Sequence, residues 1–350
     1  NITLMPTPKR PRKRRRGQRD MSIPIHEVEF EVGETISGRR IDSFLTSQMS
    51  WYSRAGVQRL ITEGRVRVET HKDRTNATIG AMKVGLKLLR GQKIIVTLEN
   101  PQPAPDQIGD DPGELQVIFE DDYLIAVNKP AGINVHPSHG HLTGSMIHLV
   151  HERHREMYGT TQDMPTLCHR LDRETSGLVL CAKDQLSRSR IGQQFEARTV
   201  KKAYQALVIG EIPEDSGFVD LPIGKDLESE VRLRMCVRTD EDGLPSQTEW
   251  KVARREHGFS LVELYPKTGR THQLRVHLAH LGYPIVGDKL YMGGNDVFLR
   301  NVHNELTDAD RELLILGRQA LHSWKLTVEH PMTGRDLELV APLWPDMAEF

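Results

Sequence analysis

Beyond residue 115 the chain is written as short apolar runs separated by turn residues, and this pattern limits its fold more than any other feature. LQVIFEDDYLIAVNKPAG carries two such runs around Asp121-Asp122, a hairpin signal closed by a Pro-Gly break. LVLCA at 178–182, AYQALVIG at 203–210 and SLVELYP at 260–266 read as further strands, and WKLTVEHPMTGRDLELVAP as a hairpin turning at Pro331–Gly334. Helical stretches fall around 144–157, over roughly 185–198 and in THQLRVHLAHLG. Strands outnumber helices and follow one another through hairpins. The expected class is therefore α+β: a mixed, largely antiparallel sheet flanked by helices, with 115–350 as one domain. There is no internal repeat and no Gly-rich nucleotide-phosphate loop.

A smaller α+β unit is expected over 32–99. Ile41, Phe44 and Leu45 recur at helical spacing, as do Val57, Leu60 and Ile61, with Ser53 as N-cap and Gly64 as the stop. Val66 and Val68 then alternate with arginines as in a half-buried strand. Arg39, Arg40, Arg54 and Arg59 are expected on exposed helix faces, where they would contact RNA phosphates or be merely solvated. Residues 100–114, NPQPAPDQIGDDPGE, concentrate Pro, Asp and Gly and are expected to be a linker. Residues 1–31 form a basic tail and lead-in. The run KRPRKRRRGQR cannot pack and is expected to be solvated disorder or an RNA-tethering arm, with Met21 an alternative start.

Taking the eight bases and one acid of residues 1–20 from the chain's 47 bases and 48 acids leaves 39 against 47, so the body is acidic. Nucleic acid would have to be met through local clusters such as Lys201, Lys202, Lys267 and Arg270. Without an apolar run long enough for a membrane helix, and with no apolar segment behind the basic N-terminus, a cytoplasmic protein is expected. Cys168, Cys181 and Cys236 are too scattered for disulfides or a metal knuckle, in keeping with a reducing compartment. Histidines cluster at 136, 139, 141 and at 272, 277, 280, but their spacing spreads the rings over several faces and no metal site is expected.

The run HRLDRETSG, residues 169–177, leads into the LVLCA strand. Asp172 should lie on a loop at the edge of the sheet, with Arg170 and Arg173 favouring its ionised form. An ionised carboxylate serves better as nucleophile or charge stabiliser than as general acid. Taken alone, the same residues equally describe a structural ion pair and turn, with Thr175, Ser176 and Gly177 completing it.

Four segments in sequence order change that balance: KPAG at 129–132, HRLDRETSG, KKAYQALVIG at 201–210 and YPKTGRTHQLRVHLAHLGYPIVGDKLY at 265–291. Together they resemble the RluA-type pseudouridine synthases across 116–345. With the first unit, which resembles an S-four-type RNA-binding domain, they are similar to the ribosomal large-subunit, RluC- and RluD-like branch. The resemblance implies that Asp172 is the catalytic aspartate and that Arg170 fills the gap left by a flipped-out uridine. It implies that Tyr204 packs on the uracil, with removal of its carbon-five proton as a candidate role, and that Arg275 pairs with Asp172. Arg173, Lys202, Lys267 and Arg270 are expected RNA contacts around the site.

A uridine inside folded RNA must be everted before its glycosidic bond can be reached. Asp172 could attack the anomeric carbon or take a proton from the neighbouring ribose carbon. Re-bonding through carbon five needs confinement of both fragments and no metal, nucleotide or redox cofactor. The expected partner is large-subunit ribosomal RNA or a pre-ribosomal particle, with no membrane and a monomeric enzyme. Two other readings of the residues stand beside this one: a non-catalytic RNA-binding or ribosome-assembly factor on the same scaffold, and a carboxylate-based N-glycosidase.

Overall fold

A computed structural model of the chain describes residues 27–34, 36–49, 52–69, 82–98, 115–137, 144–159 and 163–349. The basic run, the expected linker, the polar stretch after Glu69, His139 and His141 lie outside them. The chain divides into two compact units, one within 23–104 and the other within 105–350.

The first unit holds β1 (Glu27–Glu31), α1 (Ile41–Gln48), α2 (Arg54–Thr62), β2 (Val66–Glu69) and β3 (Lys93–Thr97). β1 and β2 flank β3, both antiparallel to it. The unit therefore begins before the expected boundary at 32, because β1 supplies one edge of the sheet. The two helical stripes read from the sequence meet: Ile41, Phe44, Leu45, Val57, Leu60 and Ile61 are all buried in one core with Ile94 and Val96. Ser53 accepts the Gly56 N–H at 3.1 Å as N-cap, and Gly64 stops α2 at φ +73°.

The second unit opens with the hairpin β4 (Val117–Glu120) and β5 (Leu124–Lys129), then α3 (Met146–Tyr158), β6 (Thr166–Leu167) and β7 (Ser176–Ala182). It continues through α4 (Gln185–Glu196), β8 (Lys201–Ile209), β9 (Ser216–Asp220) and a two-stranded ribbon of β10 (Ile223–Lys225) and β11 (Met235–Val237). β12 (Gln247–Glu256), β13 (Phe259–Pro266), α5 (Gln273–His280), α6 (Gly294–Val302) and α7 (Asp308–Leu314) follow. The unit closes with β14 (Leu321–Glu329), β15 (Asp336–Val340) and α8 (Pro345–Ala348).

One sheet runs in the order β4-β5-β7-β14-β8-β13-β12-β9, with β15 on β14 and β6 on β7. Every pairing is antiparallel except β7 with β14, which is the expected mixed, largely antiparallel arrangement. β7 lies in the interior, and its uninterrupted apolar run follows from that. Leu178, Leu180 and Ala182 face one core with Leu124, Ala126 and Leu326, while Val179 and Cys181 face another with Ile125, Val127 and Val150. A strand covered on both faces loses the alternation of a half-exposed one, and each large apolar side chain buried there contributes about 1.5–3 kcal/mol.

The parallel contact is short, His322 to Ser176 and Ser323 to Gly177. Gly177 takes φ +109°, and a Cβ there would lie 2.6 Å from the Ser323 nitrogen. Only glycine lets the two backbones approach so closely. The HRLD loop thus leads into the middle of the sheet, not its edge, because the strand it feeds is inserted between β5 and β14.

Candidate active site

Five of the seven residues from His169 to Thr175 are pinned to the protein. His169 Nε2 accepts the Leu180 N–H at 3.1 Å and its ring stacks on Phe195; burial pushes it down to about 4, so it stays a neutral acceptor. Leu171 enters the core. Arg173 Nε donates to Gly132 O at 2.8 Å, Glu174 pairs with Lys289 at 2.6 Å, and Thr175 Oγ1 accepts from Gln319. Arg170 projects to solvent and Asp172 is 40 % exposed.

Lys129 of KPAG lies under this loop, fully buried. Its three N–H groups reach Pro130 O at 2.7 Å, Ile133 O at 3.0 Å and Arg173 O at 2.9 Å, tying the two motifs together. Burial, aided by the charge of Arg318, pushes its ammonium down to about 7.

Arg275 on α5 reaches Asp172 as expected, Nη1 to Oδ2 at 3.3 Å. Its stronger bonds go elsewhere: Nε and Nη2 donate to the fully buried Asp288 at 2.6 and 2.9 Å, and the Tyr291 ring centroid lies 5.0 Å from the guanidinium carbon. The cation bonded to Asp172 is therefore Arg275; Arg173 beside it in sequence is turned to a backbone carbonyl. α5 is buried on nearly all sides, with Gln273 through Leu278 enclosed, which fixes the arginine from its stem. His272, in a left-handed conformation at φ +57°, bonds Tyr291 Oη through Nδ1 at 2.9 Å, and burial with the nearby Arg275 pushes it down to about 4.

Tyr204 is half-buried on β8, opposite Ser323 across the β8–β14 pair. Burial pushes its phenol up to about 12, with the Asp172 charge adding to the rise and a hydrogen bond with Ser323 opposing it. A phenol held neutral is a packing surface and hydrogen-bonding group; as a proton acceptor it is weak.

The expected RNA contacts divide. Lys202 is half-buried with Nζ 3.4 Å from Thr268 O, Lys267 pairs with Glu249 at 2.8 Å, and Arg270 Nε donates to Pro245 O at 3.4 Å. The turn before α5 is closed on itself, since Gln273 Oε1 also accepts from Thr268 and from the Arg270 N–H. In the first unit, Arg40 and Arg54 both bond the buried Asp42, at 2.9 and 3.2 Å, with Gln58 joining at 3.3 Å. These bonds hold the Asp42 carboxyl well below the usual carboxylate range. The two arginines are exposed, as expected, and each is also tied to this buried carboxylate. Arg39 and Arg59 are exposed.

Sequence reasoning gave no individual role to Lys129, Asp288 or Tyr291, and noted His272 only as a member of a histidine cluster. Asp288 and Tyr291 sit in GDKLY, within the last of the four matching segments. Among the described residues no group of His, Cys, Asp and Glu is placed to hold a metal ion, and no helix is long and apolar enough to cross a membrane.

A buried arginine is thus shared between a solvent-facing carboxylate and a buried one, beside a half-buried tyrosine. The RNA pseudouridylate synthase family profile matches residues 123–280. An uncharacterized RNA pseudouridine synthase of Chloroflexus aurantiacus is 40% identical over 93% of both chains. Ribosomal large subunit pseudouridine synthase D of Nitrosomonas europaea is 32% identical over 92% of this chain and 86% of its own. Human RNA pseudouridylate synthase domain containing 4 superposes with TM-score 0.54 at 27% identity, covering 67% of this chain and 90% of that one. The chain belongs to the RluA-type RNA pseudouridine synthases, and it is an isomerase.

Proposed function

We propose that Asp172 is the catalytic carboxylate and that the substrate is a uridine of large-subunit ribosomal RNA, modified in the cytoplasm by a monomeric enzyme. The observation that carries the catalytic part is the contrast within one loop: Asp172 is open to solvent and bonded by the buried Arg275, while His169, Leu171, Arg173, Glu174 and Thr175 are all committed to the protein. The target is supported by relatives named for the ribosomal large subunit.

Eversion costs a few kcal/mol, which the solvent-facing Arg170 offsets by occupying the vacated place. As the bond between uracil N1 and the anomeric carbon breaks, the Asp172 carboxylate meets the positive character on the sugar. The uracil turns within the site and its carbon five bonds to the anomeric carbon; the carbon-five proton leaves and N1 ends protonated, so atoms balance without a co-reactant. Tyr204 packs on the uracil, and its neutral phenol favours this role over proton removal. Lys202, Arg173, Lys267 and Arg270 line the approach, with phosphate contact falling more to Lys202 than to the paired Lys267. The first unit is an S-four-type RNA-binding domain contacting phosphates through Arg39 and Arg59.

Incubating the full chain with unmodified large- and small-subunit ribosomal RNA, then mapping pseudouridine and abasic positions, tests this reading. Pseudouridine confined to large-subunit RNA is expected. Abasic sites would mark an N-glycosidase, and binding without product a ribosome-assembly factor.

A further inference from the structure

Two carboxylates compete for the Arg275 guanidinium, and the buried one has the better geometry. Asp288 receives two N–H bonds, at 2.6 and 2.9 Å, against one at 3.3 Å for Asp172. Asp288 is itself locked, since its Oδ1 accepts the backbone N–H of Leu290 at 3.0 Å and of Tyr291 at 3.1 Å. The Tyr291 ring lies against the guanidinium, and its hydroxyl is fixed by the Met235 N–H at 3.0 Å and by His272 at 2.9 Å. Asp288 and Tyr291 are thus the two walls of one rigid turn around Arg275.

We propose that Asp288 and Tyr291 are positioning residues that hold Arg275 back from Asp172, leaving the Asp172 carboxylate with one weak contact in place of a two-point ion pair. A fork-to-fork arginine–carboxylate pair would occupy both oxygens of Asp172. Such a carboxylate would have neither an oxygen nor the charge free for the sugar. The turn satisfies the arginine elsewhere while keeping it close enough to orient Asp172. This inference rests on Asp172 being the reacting carboxylate.

The test measures single-turnover pseudouridine formation on unmodified large-subunit ribosomal RNA as a function of pH, with RNA Kd and thermal midpoint for each variant. In Asp288→Asn the arginine loses its stronger partner and closes on Asp172. The plateau rate is expected to fall roughly 100-fold, as for a displaced reacting group, with RNA Kd within about threefold, too small a change for a lost substrate contact. The acid limb of the rate profile should move to lower pH, because the full guanidinium charge then falls on Asp172. Of the other titratable groups whose fields reach Asp172, Lys129 and Tyr204 are untouched by this change, while His272 loses the nearby Asp288 charge that favours its protonation, so it stays neutral and adds no charge beside Asp172. A loss of rate with the acid limb unmoved overturns the proposal, since a merely structural role lowers amplitude alone.

If Asp288→Asn does not fold, Tyr291 serves in its place. Tyr291→Leu should lose about tenfold in single-turnover rate, a cation–π contact's worth, and Tyr291→Phe should recover most of it. Equal losses in both overturn the proposal. Asp172→Asn is run alongside: if it retains activity the catalytic reading itself fails, whatever the acid limb does.

Discussion

Replacing Gly177 with alanine concentrates the consequences of the fold on one atom. At φ +109° an L side chain is strained by about 1–2 kcal/mol. The added Cβ would meet the Ser323 carbonyl and stand 2.6 Å from the Ser323 nitrogen and 2.8 Å from its carbonyl carbon. That is roughly 1 Å inside ordinary van der Waals separation. Because the clash is with backbone, no rotamer relieves it, and β7 or β14 must shift; overpacking of this kind costs about 1–3 kcal/mol. Together the expected loss is about 2–5 kcal/mol, a large share of the 5–15 kcal/mol that holds a typical domain. Thermal unfolding followed by circular dichroism should show a midpoint lower by about 4–20 °C, at about 2–4 °C per kcal/mol for a domain of this size. The shift separates β7 from β14, and with it the Asp172 loop from Ser323 and Tyr204, so turnover should fall even well below the midpoint. A variant within about 1 kcal/mol of the parent would refute the reasoning, since neither strain nor clash could then be present.

Further outcomes are expected elsewhere. His169 and His322 are both pushed down to about 4 by burial, so as pH falls below about 6.5 the unfolded chain takes up protons first. Stability is whole above pH 6.5 and should drop by about 1.4 kcal/mol per pH unit for each histidine down to pH 4. Urea midpoints equal at pH 7.5 and 4.5 would contradict this. Lys129→Met removes the donor to three carbonyls and should cost more than about 2 kcal/mol by urea unfolding; an unchanged midpoint would mean water replaces the ammonium. Arg39→Ala and Arg59→Ala should each weaken RNA binding and lower the salt slope by about one, leaving stability unaltered. Arg54→Ala, next to the buried Asp42, should instead lower the thermal midpoint; equal binding losses at Arg39 and Arg54 would argue against that division.

Much of this molecule was legible in the sequence. Turn residues mark each hairpin, and the apolar run after Gly177 announces a strand, because period and turn chemistry are local properties. The meeting of Asp172 with Arg275 followed from resemblance, not from spacing, since 103 residues separate them. Partner choice was not legible. Arg40 and Arg54 looked like free cations because nothing local says that Asp42 is buried between them. Arg170 and Arg173 looked like the charges on Asp172, yet loop geometry sends Arg173 to Gly132. Asp288 and Tyr291 escaped notice because their role appears only once α5 is packed against the turn that carries them.

The account turns most directly on the carboxylate at position 172. The enzyme and its Asp172→Asn variant, incubated with unmodified large-subunit ribosomal RNA and mapped for pseudouridine at single-nucleotide resolution, should give product with the former and none with the latter. RNA affinity should stay within about threefold, since Asn keeps the size and hydrogen bonding of the side chain. Pseudouridine formed by Asp172→Asn at an undiminished rate would contradict the central claim.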